Sequence, residues 1–157
     1  MKYLKSNSRN TWYSVINGIT FKSTPGHGWL VLASYRLEQM KKRHPELVLT
    51  PPLHGYMTNY EEDCEINLPI LAFWKEMQGQ FDISTAIKST AYWYPVIFCR
   101  WVLACVESRE INEILDAVGG DFPIKFRESD MIFQTEWVFA DYVKAVEEYL
   151  PEIKGNV

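Results

Sequence analysis

The sequence predicts an α+β fold, a small antiparallel β-meander packed against about five helices. Between Thr11 and Ala33, three runs rich in β-branched and aromatic residues are divided by Asn-Gly and by Pro-Gly-His-Gly, which is strand-and-turn patterning. Over residues 81–157, apolar residues recur mainly at helical spacing. Hydrophobic residues make up 47% and charged residues 23% of the 157, enough apolar content for a core and unlike a disordered chain. A chain of this length is expected to form a single domain over residues 1–157, with a β-meander and a motif-bearing helix in 1–80 and a mainly helical remainder in 81–157.

The elements follow in order. The opening MKYLKSNSRN is polar and lacks the apolar stretch of a signal peptide, so the chain is expected to stay in the cytosol where it is made. TWYSVI and ITFKST flank Asn17-Gly18, a pair suited to a type I′ turn because both central residues would take positive φ. WLVLA supplies the third strand. Ser34 is placed to cap a helix from about Tyr35 to His44, with Leu37 and Met40 inward and Pro45 ending it; His44 then reads as a solvated helix end. Pro45 to Gly55 reads as an irregular connection.

Asn59 is expected to start the next helix, accepting from the Glu62 amide while the Glu62 side chain reaches back, a variant of the capping box. Cys64, Leu68, Leu71 and Ala72 would share a face, with Pro69 a kink or a late start. Ser84 opens a further segment, and Pro95 suits the first turn of a new helix. The stretch from Ala91 to Val106 is expected to be a buried spine, since it is shorter than a ~20-residue membrane span and is interrupted by Pro95 and Arg100. Ile111, Ile114, Leu115 and Val118 form a stripe that Gly119-Gly120 ends, and Phe139, Val143, Val146 and Leu150 form the last one, closed by Pro151.

Twenty acidic against sixteen basic residues give a net charge of −4. A chain without a cationic excess is not favoured as a direct nucleic-acid binder, although the total leaves a local patch open. No membrane association is expected. The three cysteines include no CxxC pair and fit reduced thiols in a cytosol; Cys99 and Cys105, inside the apolar run, read as small core hydrophobes.

Two segments carry the chemistry. In Ser23-Thr24-Pro25-Gly26-His27-Gly28-Trp29 a histidine stands between two glycines, which let the backbone take positive φ or approach a partner closely and so present the imidazole as acid, base or ligand. The plainer alternative is that the glycines merely make the turn and His27 bonds a nearby carbonyl. In Tyr60-Glu61-Glu62-Asp63-Cys64-Glu65 four carboxylates surround a thiol. They could polarise a histidine or hold a cation, or they could simply complement a helix dipole.

Together these segments, STPGHGW and NYEEDCEI, resemble a largely uncharacterised domain family of phage and plasmid proteins with the pattern S-T-P-[SG]-H-G followed by [WY]-[YF]-E-E-D-C-[DE]-W. The likeness covers about the first half of the chain and departs after Glu65, where Ile66 replaces the usual tryptophan. It implies that His27 and the Glu61 to Cys64 run belong to one site, and it implies no particular activity.

The leading expectation is a small accessory protein of a phage or other mobile element. It would act in the host cytosol and bind a host protein or small molecule through the surface of His27, Trp29, Glu61 and Cys64. Its rival is a small hydrolase or transferase with His27 and Glu62 or Asp63 as an acid/base pair. No cofactor is favoured. A divalent metal on His27, His54 and Cys64 is the alternative weighed, with suitable ligand types but no close-spaced pair. A Cys64 nucleophile is disfavoured because neighbouring carboxylates oppose thiolate formation.

Overall fold

The computed structural model describes residues 1–7, 9–49, 58–127 and 134–155. The chain divides into two compact units, Met1–Ala86 and Ile87–Val157.

The first unit is built on a five-stranded sheet of order β1-β2-β3-β4-β5, formed by Lys2–Ser6, Thr11–Ile16, Ile19–Ser23, Gly28–Leu32 and Asn59–Glu61. Every neighbouring pair is antiparallel. The expected three-stranded meander is its centre, extended by a strand on each edge. Burial alternates along β4, with Gly28, Leu30 and Leu32 buried and Trp29 and Val31 half-buried, so one sheet face carries the core and the other meets solvent. Phe21, Leu30 and Tyr60 are cross-strand partners on the core face.

At the β2–β3 turn only Gly18 takes positive φ (82°), so the type I′ turn is not formed. A register shift between Ser14 and Ile16 accompanies it, and helix α1 (Ser34–Arg43) holds the turn in place. Arg36 Nε donates to the Asn17 carbonyl at 2.8 Å, and the Arg36 guanidinium grips the Glu76 carboxylate by two nitrogens at 2.8 and 3.2 Å. A side chain at Gly18 would strike the Tyr35 ring. Helix α1 has no side-chain cap at its start, whereas Leu37 and Met40 are buried as expected. His44 is not a solvated end: it is 5% exposed, and its Nδ1 lies 2.7 Å from Glu46 Oε1 in the 3₁₀ turn Pro45–Leu47.

The segment expected to begin a helix at Asn59 is instead strand β5, followed by turns, and helix α2 spans Asn67–Ala72. Pro69 therefore belongs to a late start, in the first turn, where a missing N–H costs no bond. Helix α3 (Trp74–Met77) follows, and α4 (Ile83–Trp93) is opened by Asp82 rather than Ser84. Asp82 accepts from the Ser84 amide and hydroxyl and from the Thr85 hydroxyl, and these bonds hold its carboxyl below the usual value.

In the second unit α5 (Pro95–Glu107) packs against α6 (Glu110–Val118) and α7 (Phe139–Gly155), and Pro95 occupies the first turn of α5. Ala91, Phe98, Trp101, Val102 and Cys105 are buried, as the spine requires, though Trp93 and Val96 are exposed and Cys99 is half-buried. Phe98 is the hub of an aromatic cluster with Trp101, Phe126, Phe139 and Tyr142, at ring separations of 5.6 to 6.3 Å. The stop at Gly119 forms as expected, with φ of 81°. Two features depart from the helical expectation: a hairpin of β6 (Pro123–Arg127) and β7 (Gln134–Val138), and an α7 that runs through Pro151. A proline removes one intrahelical donor without stopping the residues beyond it. Among the described residues no helix is long and apolar enough to cross a membrane.

Candidate functional site

The turn between β3 and β4 is closed by Thr24. Its amide donates to the His27 carbonyl at 2.8 Å, its hydroxyl reaches the same oxygen at 3.1 Å, and the His27 amide donates to Thr24 Oγ1 at 3.2 Å. Neither Gly26 nor Gly28 takes positive φ, so the glycines are not there for left-handed backbone. Gly28 serves close approach instead: a methyl at that position would lie 2.5 Å from Phe21 Cζ and 2.6 Å from Glu62 Oε2, whereas one at Gly26 would meet nothing within 4 Å.

With its backbone fixed by Thr24, His27 projects a side chain that is 64% exposed. Its Nδ1 lies 4.0 Å from Glu61 Oε1, an ion-pair distance when the ring is protonated and longer than a hydrogen bond. Its ring lies 5.7 Å from that of Trp29, tilted by 41°. Trp29 and Glu61 are directly opposed across β4 and β5, which explains the grouping: strand pairing, not a helix start, brings the carboxylate to the imidazole.

Strand geometry also splits the acidic run. Consecutive residues of an extended chain face opposite ways, and the ladder continues past β5 through a Glu62 amide bond to the Gly28 carbonyl at 2.9 Å. Glu61, whose side chain is 13% exposed, therefore lies on the His27 side of the sheet, while Glu62, an exposed residue, brings its carboxylate close to Gly28 and Phe21 on the other side. There it lines a cleft of about 330 Å³ with Phe21, Ile66, Ile70, Phe81 and Asp82. Asp63 is exposed, and its amide donates to Glu61 Oε2 at 3.2 Å. Among the described residues, His27 has no hydrogen bond or ion pair to Glu62 or Asp63. Cys64 is half-buried in the turns after β5, its carbonyl accepting from Asn67 Nδ2 at 3.1 Å. Glu65 is 1% exposed and its Oε2 is 3.5 Å from the Glu61 amide; burial, with the Glu65 charge adding to it, pushes the Tyr60 phenol up to about 12. Among the described residues no group of three or more His, Cys, Asp or Glu side chains is placed to hold a metal ion. His54 lies outside the described residues.

Sequence reasoning missed the residues that continue this surface. Lys5, Trp12, Lys22, Trp29 and Glu61 are successive cross-strand partners, one from each strand, and so form a single row across the sheet. Lys22 Nζ lies 5.1 Å from the Trp12 ring centre and 5.8 Å from that of Trp29, and Lys5 Nζ lies 5.5 Å from Trp12. The two-residue Asn17-Gly18 connection by itself would oppose Trp12 to Ser23; the register shift between Ser14 and Ile16 brings Trp12 opposite Lys22 instead.

Comparison with known proteins gives one family: the model described as "Domain of unknown function (DUF7007)" matches residues 8–117. No curated protein and no solved structure matches the chain.

Proposed function

The chain belongs to the DUF7007 family of domains of unknown function, and within it we propose a small accessory protein of a bacteriophage or other mobile element. It acts in the host cytosol, binding a host protein or a small molecule through the surface around His27. The mobile-element assignment is supported by the likeness of STPGHGW and NYEEDCEI to the phage and plasmid pattern. The binding assignment is carried by one observation: an imidazole that is 64% exposed stands 4.0 Å from a carboxylate, with an indole ring centre 5.7 Å away. An exposed imidazole, backed by a half-buried indole and by a carboxylate that is 13% exposed, offers a partner hydrogen-bonding, ionic and aromatic contacts in one patch.

A hydrolase or transferase using His27 with Glu62 or Asp63 is the weaker reading. An acid and a base must reach one substrate together, and among the described residues neither Glu62 nor Asp63, both exposed, has a hydrogen bond or ion pair to His27. Affinity capture from host extract, run with the parent chain and with His27→Ala and Glu61→Gln, separates the two. Binding predicts a partner recovered by the parent and recovered less by both variants. An acid/base enzyme predicts unchanged capture and a turnover loss of roughly 100-fold or more on removing the imidazole.

A further inference from the structure

We propose that the solvent-facing side of the five-stranded sheet binds single-stranded nucleic acid, with Trp12 and Trp29 stacking on bases and Lys2, Lys5 and Lys22 contacting phosphates. This goes beyond the reading above: it shares Trp29 with that surface and otherwise rests on residues of β1 to β3.

The register places them together. Lys2 is opposed to Ser14, two residues along β2 from Trp12, so Lys2 shares a face with Lys5, Trp12, Lys22, Trp29 and Glu61. Three lysines against one carboxylate make this face cationic in a chain whose net charge is −4. The whole-chain total that disfavours nucleic acid therefore averages over a segregated distribution, and it is the local field that a polyanion meets.

The arrangement of the row selects the ligand. Cations alternate with indoles, which matches a polymer whose phosphates alternate with flat aromatic bases. At ~4.8 Å per strand, the five strands set Lys5 and Glu61 about 19 Å apart, the scale of several nucleotides rather than one. The surface is an open sheet face, so affinity must come from contacts spread along a chain. Base faces become available to indoles only when strands are unpaired, which favours a single strand over a duplex.

Fluorescence anisotropy of end-labelled dT12 and rU12, titrated with the intact chain at 50 and 200 mM salt, tests this, and the two oligomers distinguish DNA from RNA as the source of the strand. Saturable binding that weakens with salt is expected, with quenching of the chain's own tryptophan emission. Lys22→Gln should weaken binding and reduce the salt slope by about one. Trp12→Leu should weaken it by roughly 5- to 150-fold. Lys41→Gln, which removes the same charge from α1, should change nothing. No saturable binding of either oligomer at 50 mM salt would overturn the proposal. So would heparin binding as tight as dT12 with tryptophan emission unchanged, because that is polyanion attraction without stacking. The emission readout uses the parent chain, so the proposal stays refutable if Trp12→Leu does not fold. Loss of an extract partner on His27→Ala bears on the earlier reading alone.

Discussion

Replacing Gly28 by alanine tests the geometry that divides the acidic run. The added methyl would stand 2.5 Å from Phe21 Cζ and 2.6 Å from Glu62 Oε2. Carbon atoms in contact settle at about 3.5 to 4.0 Å, so the Phe21 ring must retreat by about 1 Å. Glu62 can swing into solvent at little cost, but Phe21 faces the core beside Leu30, and inserting a methyl into packed surroundings costs about 1 to 3 kcal/mol. Gly26→Ala is the internal control. Its methyl meets nothing within 4 Å and its φ is ordinary, so it should be neutral or stabilise by up to about 1 kcal/mol through the unfolded chain. Urea unfolding of the two variants and the parent, compared at constant m-value, measures the difference. Equal stabilities for both variants would refute the reasoning, because Phe21 and Glu62 could not then meet beneath β4.

Two further outcomes are expected. Phe98→Ala should cost about 3 to 5 kcal/mol in thermal or urea unfolding, since Phe98 is fully buried at the hub of its aromatic cluster; an unchanged melting temperature would show that the cluster does not support the second unit. Tyr60, pushed up to about 12 by burial and by Glu65, ionises more readily unfolded, at about 10. Its contribution is thus complete below pH ~10 and is lost as pH rises from 10 towards 12. Unfolding midpoints between pH 9 and 11.5 should fall more steeply in the parent than in Tyr60→Phe, and identical slopes would contradict the burial of this phenol.

The legible parts of the fold were those whose local chemistry and tertiary role agree. Thr11 to Leu32 combines β-formers with turn residues at each break, and Gly119 ends α6 by the backbone freedom it alone supplies. Strand β1 was missed because it is exposed throughout, so no buried face prints an alternation on its sequence. Strand β5 is three residues long, and Asn59 and Glu62 form a plausible cap there; pairing with β4 outweighs that local preference. A helix would already set Glu61 apart from Glu62, by ~100° per residue; the extended chain widens that separation to opposite faces. The resemblance implied one site for His27 and the Glu61 to Cys64 run; His27 Nδ1 lies 4.0 Å from Glu61 Oε1, beyond hydrogen-bond reach, and the two meet across paired strands where a helix start was expected. The Lys–Trp row was not foreseen, because it requires the registers of four strand pairs at once.

The central claim is that the surface around His27 is what a partner touches. Amide chemical-shift mapping of the labelled chain, with and without the partner recovered by the parent in affinity capture, tests it most directly. The account predicts that the largest shifts fall on His27, Trp29 and Glu61, on the solvent-facing side of β4 and β5. Shifts centred instead on Phe21, Glu62 and Asp82, in the cleft beneath β4, would contradict it.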